Sequence, residues 1–177
     1  MANKVVTGKA RLSYARVWES VSVNGSDPKY TCRVLIPKND KETIAKLMEA
    51  EAEAEKAGIA KFGAAFAGKK NTKMLKDGDL EDDESCHGHY FINTSNKNRP
   101  YIVDLKVQPI MDTTEVYSGC YARVSLDVFP YNAGLNKGVT STLNGIQKVA
   151  DGESLGGVRH KAEDDFSVIS DDDDFLN

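Results

Sequence analysis

The chain has 177 residues, 40% hydrophobic and 28% charged, with a net charge of −4. That is the make-up of one globular domain whose core needs no staples. No apolar run approaches the ~20 residues of a membrane span, and the N-terminus lacks a signal-peptide core, so a cytoplasmic protein is expected. Cys32, Cys86 and Cys120 are odd in number and widely spaced, which predicts reduced thiols rather than a disulfide framework.

KVVTGKARLSYARVWES predicts a long strand, or a bent pair with Gly8 near its start. NGSDPK is a turn cluster, and YTCRVLIP a second strand. Alternation puts Tyr30, Cys32, Val34 and Ile36 on one of its faces and Thr31, Arg33 and Leu35 on the other. KNDKETIAKLMEAEAEAEKAG predicts a helix over about 40–57, with Asn39 as N-cap, Glu42 completing a capping box and Gly58 at C′. Its apolar stripe is Ile44, Leu47, Met48 and Ala52; the Ala/Glu-rich later half reads as surface. Residues 59–85 have no sustained period and read as a short helical or irregular insertion, then a loop.

Strands resume with HYFINTS and RPYIVDLKVQPI, split by the turn NKN. GCYARVSLDVFPYN alternates well, with Tyr121, Arg123, Phe129 and Tyr131 on the face opposite Ala122, Val124, Leu126 and Val128. After the turn AGLNKG, VTSTLNGIQKVA is a last strand. About five or six strands and one helix predict a mainly β fold: a curved antiparallel barrel of OB (oligonucleotide-binding) type with the helix inserted between strands, or a sandwich.

Charge is divided unevenly along the chain. Residues 1–162 hold all 23 Lys and Arg and 20 of the 27 acids, a net +3; residues 163–177 hold the other seven acids and no Lys or Arg, a net −7. A mildly basic body joined to an acidic tail points to an anionic ligand such as nucleic acid; a tail that only aids solubility is the other reading. Two domains of function follow, a body over 1–162 and a tail over 163–177.

Aromatic and basic residues recur together on separate segments. Rings stack on bases and cations neutralise phosphates, the pairing that single-strand binders use. KARLSYAR places Lys9, Arg11, Tyr14 and Arg16 together. The candidate interface is Lys9, Arg11, Arg33, Lys69, Lys70, Lys73, Tyr90, Phe91, Lys97, Arg99, Tyr101, Tyr121, Arg123, Phe129 and Tyr131.

Catalytic signals are weak. There is no nucleophile elbow, Walker loop or dinucleotide fingerprint, so no enzyme and no cofactor is expected. Cys86-His87-Gly88-His89 beside Asp82, Asp83 and Glu84 lacks the second ligand pair of a structural zinc site, so no metal is expected. Asp77-Gly78-Asp79 reads as a solvated turn, with a metal-dependent nuclease as the remaining alternative. A structural or interaction protein that binds no nucleic acid also stays open.

LKDGD (75–79), GHYFINTSNKNRP (88–100), VYSGCYARVSLDVFPYN (116–132) and NKGVTSTLNGIQKVADGE (136–153) resemble, in that order, a family of phage and prophage single-stranded-DNA-binding proteins common in phages of Gram-positive bacteria. That family is similar in turn to the single-stranded-DNA-binding proteins of short-tailed coliphages. The resemblance implies an OB-fold with a helix beside the barrel, and sequence-independent coating of single strands during phage DNA replication, recombination and repair in the host bacterial cytoplasm. It also implies an acidic C-terminal tail ending in an aromatic residue, which recruits replication proteins (a polymerase, helicase or primase) and affects formation of a homodimer. Asp171, Asp172, Asp173, Asp174 and Phe175 match that tail, and the chain departs from it by placing Leu176 and Asn177 after the Phe.

Overall fold

The computed structural model describes residues 3–22, 24–68, 73–133, 136–155 and 166–169. In chain order the elements are β1 (Asn3–Val6), β2 (Ala10–Val21), β3 (Lys29–Pro37), α1 (Lys41–Phe62), α2 (Ala65–Gly68), β4 (Lys76–Asp77), β5 (His89–Asn96), β6 (Tyr101–Val103), β7 (Tyr121–Ala133) and β8 (Asn136–Ala150). Two 3₁₀ turns, Gly78–Leu80 and Glu84–Cys86, lie between β4 and β5.

β7, β2, β3, β5 and β8 pair in that order, and β8 pairs back to β7, so the sheet closes on itself. Pairing around the ring is antiparallel except at β5–β8, where Ser95 faces Thr142 in parallel. β1 extends the sheet at β7, β4 at β5 and β6 at β8. A five-stranded barrel of this kind is the OB architecture. Inward-pointing Leu12, Val34, Ile36, Ile92, Val124, Leu126, Leu143 and Ile146 fill it and are fully buried. Each such side chain contributes about 1.5–3 kcal/mol of burial free energy.

The helix is longer than its sequence pattern suggests and turned differently. Its N-cap is Asp40, not Asn39: the Asp40 carboxylate accepts from the Thr43 amide at 3.2 Å and the Thr43 hydroxyl at 2.7 Å. The buried face is Thr43, Ile44, Leu47, Ala50, Ala54 and Gly58, whereas Met48 is half-exposed and Ala52 exposed. Gly58 does not end the helix, because it accommodates a ring: a Cβ there would lie 2.3 Å from Phe66 Cε1. The later half is therefore packed rather than superficial, and the helix runs on to a cap at Gly63.

Two other expectations are refined. Of the two alternatives for 59–85, the helical one holds: among its described residues are the end of α1, the short α2, β4, the first 3₁₀ turn and the start of the second. RPYIVDLKVQPI forms strand only at Tyr101–Val103, because the Asp104 carboxylate accepts from the amides of Lys106 at 2.8 Å and Gln108 at 3.0 Å and turns the chain.

All three cysteines are free thiols and buried. Burial pushes the Cys32 thiol up to about 12 and raises that of Cys120 as well. An aromatic disulfide reagent at pH 8 is expected to label none of them in the native protein and all three in urea; prompt native labelling of Cys32 or Cys120 would mean that the barrel opens, and of Cys86 alone that the β4–β5 segment lifts.

Candidate nucleic-acid interface

The register lines up one row of side chains across five strands on the outer face. Tyr121 on β7 faces Arg11 on β2, Arg11 faces Leu35 on β3, Leu35 faces Phe91 on β5, and Phe91 faces Lys76 on β4. Directly opposed residues share a face. A second row sets Ser13, Arg33 and Asn93 beside it. Strands two and three of an OB barrel, here β3 and β5, form the face that such folds offer to oligonucleotides.

Cations and rings are already paired on this face. Lys9 Nζ lies 4.8 Å and Arg11 Cζ 5.8 Å from the Tyr121 ring centre. Arg11 donates to the carbonyls of Gly119 at 3.2 Å and Glu153 at 2.7 Å, so its partners are neutral and its charge remains available. The Arg33 guanidinium lies between two rings, 4.9 Å from Tyr14 and 4.5 Å from Phe91, and donates to Asn93 Oδ1 at 2.9 Å. Such stacking fixes the plane of the guanidinium and pre-aims its fork.

Tyr14 is missing from the candidate interface drawn from sequence. The β2–β3 register shifts between Ser13 and Arg16, and Tyr14 within that bulge has φ of 47°. A bulge re-aims side chains, and Tyr14 projects with 56% of its surface exposed. The signal was present in ARLSYAR: Arg11 and Arg16 are five residues apart, so no regular strand puts both outside.

The loop between β4 and β5 folds back over part of this face. Leu35, Cys86 and Phe91 form a small buried cluster, with Leu155 packed on it. Lys38 holds the foot of the loop through Asp77 at 2.7 Å and Asp79 at 2.5 Å. Those contacts hold both carboxyls below the usual range. At the other end Asp83 accepts from the Ser85 hydroxyl at 2.7 Å, the Ser85 amide at 3.0 Å and the Tyr14 hydroxyl at 3.2 Å, with Arg33 Nη1 at 3.8 Å. The Ser85 hydroxyl above all, with Tyr14 and Arg33, lowers the Asp83 carboxyl.

The remaining candidates scatter. Phe91 is only 1% exposed and has no free ring face; it packs under the loop. Tyr90, its neighbour, points to the opposite face, toward α1, with Lys38 Nζ 5.1 Å from its ring. Lys73 lines a groove of about 790 Å³ between α1 and the loop, with Glu51 and Glu55. Arg99 lies over the Trp18 ring at 5.4 Å, and exposed Tyr101 lines the same shallow pocket away from the rows above. Lys97 is exposed after β5. Arg123 is exposed and donates to the Thr7 carbonyl at 3.2 Å, and Phe129 and Tyr131 are half-buried further along β7. Lys69, Lys70, Asp171, Asp172, Asp173, Asp174 and Phe175 lie outside the described residues.

The Cys86 thiol accepts from Arg33 Nη1 at 3.5 Å, and the rings of His87 and His89 are 2.8 Å from the carbonyls of Glu81 and His87. Among the described residues no group of three His, Cys, Asp or Glu side chains is placed to hold an ion.

Residues 3–176 match the model of a family described as the single-stranded-DNA-binding protein of Enterobacter phage Enc34. The chain belongs to the Enc34 single-stranded-DNA-binding protein family. The family is named for binding single-stranded DNA, not for a reaction. Protein p50 of Acyrthosiphon pisum secondary endosymbiont phage 1 is 29% identical over 180 residues, covering 96% of this chain and 97% of that protein. The fold is similar to that of the Enc34 protein solved in complex with single-stranded DNA, with a TM-score of 0.74 and 23% identity over 86% of this chain and 89% of that one. It is also similar to gp2.5, a single-stranded-DNA-binding protein of bacteriophage T7, with a TM-score of 0.63 and 15% identity over 96% of this chain and all of the other. No described helix is long and apolar enough to cross a membrane.

Proposed function

We propose that this protein coats single-stranded DNA without strong sequence preference during phage DNA replication, recombination and repair in the host cytoplasm. One observation carries the reading: Arg11, Arg33, Lys76 and Tyr121 stand on one outer face across β7, β2, β3, β5 and β4 of an OB barrel, with Lys9 against the Tyr121 ring and Tyr14 against Arg33. The cations neutralise phosphates and release counterions; Tyr14 and Tyr121 stack on bases, whose π-faces are all alike in kind. The covering loop narrows the usable surface to two clusters, Lys9–Arg11–Tyr121 and Tyr14–Arg33–Asn93.

The acidic tail, 163–177, competes with DNA for the same cations. The route of the chain supports this: residues 151–155 run beside the interface, where Arg11 binds the Glu153 carbonyl and Leu155 packs on Leu35 and Phe91. Displaced by DNA, Phe175 and its acidic neighbours recruit replication proteins, and the tail affects formation of a homodimer.

Fluorescence anisotropy of labelled oligo-dT, titrated with the full chain and with residues 1–162, tests both parts. Log affinity is expected to fall with log salt by about 0.7 per phosphate neutralised. Truncation is expected to tighten binding most at low salt, and duplex DNA to bind more weakly than single strands. No binding by either protein at low salt sinks the DNA reading. Binding without any effect of truncation sinks only the tail competition.

A further inference from the structure

We infer that Tyr14 and Arg33 form a subsite for one nucleotide, the base on the Tyr14 ring and the phosphate on the Arg33 guanidinium, with Asp83 occupying the phosphate position until the strand displaces it. The inference rests on the single-strand-binding reading above.

Tyr14 is the first observation. A non-glycine residue at a φ of 47° costs about 1–3 kcal/mol, and its ring, more than half exposed, returns little of that to the fold. Such strain is retained where the side chain meets something outside the domain. One face of the ring carries Arg33, which leaves the other for a base.

Arg33 is the second. Phe91, Tyr14 and Asn93 hold it in one plane, so a phosphate meets a prearranged fork. The anionic group now beside it is one carboxylate oxygen, Asp83 Oδ2, 3.2 Å from the Tyr14 hydroxyl and 3.8 Å from Arg33 Nη1, the same nitrogen that donates to the Cys86 thiol at 3.5 Å. Oδ2 stands where a phosphate oxygen would bridge the same two donors. The pair is long and partly solvated, with side chains 21% and 31% exposed, so it is weak and easily exchanged. The loop need not open, because Asp83 Oδ1 stays with Ser85 while Leu35, Cys86 and Phe91 remain covered.

The test is anisotropy of oligo-dT with full-length wild type, Asp83→Asn, Asp83→Ser, Tyr14→Ala and, as a remote carboxylate control, Glu49→Gln. Asn and Ser both cap a helical turn, so either keeps the 84–86 turn while removing the charge. Both Asp83 variants are expected to bind about 3- to 10-fold tighter, with a salt slope steeper by about 0.7. Tyr14→Ala is expected to bind about 5- to 100-fold more weakly, the loss of one stacked base. Asp83 variants that bind no tighter than a binding wild type, or a Glu49→Gln gain of the same size, would overturn the subsite and leave the coating reading intact. A wild type that does not bind overturns both, and is told apart because it needs no variant.

Discussion

Arg33→Ala is expected to weaken oligo-dT binding by about 10- to 100-fold, the largest loss of any single cation on the barrel. A charge-assisted hydrogen bond is worth about 1.5–3 kcal/mol, and Arg33 is the cation whose geometry is fixed on three sides. Arg33→Lys is expected to restore the charge but only part of the affinity, since an ammonium neither stacks between Tyr14 and Phe91 nor grips two phosphate oxygens. Anisotropy at two salt concentrations reads the loss, and urea melts of the same proteins separate it from unfolding. Binding within twofold of wild type would place the DNA elsewhere, the Trp18–Arg99–Tyr101 pocket being next to test.

Gly119→Ala is expected to cost the fold about 3 kcal/mol or more, read as a lower urea midpoint. Gly119 has φ of 117°, a conformation open in practice to glycine alone. A Cβ there would also lie 2.0 Å from the Glu153 carbonyl oxygen. The Gly119 amide donates to Leu12 at 2.7 Å, and its carbonyl receives Arg11, so the damage reaches the interface as well. Gly25→Ala is the comparison: its φ is 76° but nothing lies within 4 Å, so only the backbone cost applies, about 1 kcal/mol. Equal midpoints for the two variants would show that the exit segment yields to the added methyl.

Much of the barrel was legible because alternation is a local code. Val34 and Ile36 face in while Arg33 faces out, and β7 keeps Ala122, Val124, Leu126 and Val128 inside along its length. The order of motifs carried the family. Other features depend on contacts distant in sequence. Nothing near Gly58 announces Phe66, which keeps the helix going past its apparent end. Alternation in HYFINTS puts Tyr90 and Phe91 on opposite faces, but nothing in it says that a loop will cover Phe91 or that the helix will lie on the Tyr90 side. At the interface, Arg11, Arg33 and Tyr121 were visible as outward residues of regular strands, but Tyr14 was not, because a bulge breaks the alternation that would have placed it.

The ring of strands is not equally strong all the way round. β3 and β5 pair from Tyr30–Asn96 to Pro37–His89, and β7 and β8 from Tyr121–Ala150 to Ala133–Asn136. Between them β5 meets β8 at Ser95–Thr142 alone, helped by the Ser141 hydroxyl on Thr94 at 3.0 Å and Asn96 Nδ2 on the Leu143 carbonyl at 2.8 Å. Mechanically the barrel is a band of strands closed along one narrow seam. The two clusters of the interface meet on β2, which carries Arg11 and Tyr14 and sets Ser13 opposite Arg33, so their spacing is held by a backbone ladder. The compliant line of this molecule is thus the seam, and its interface keeps its width when the seam gives.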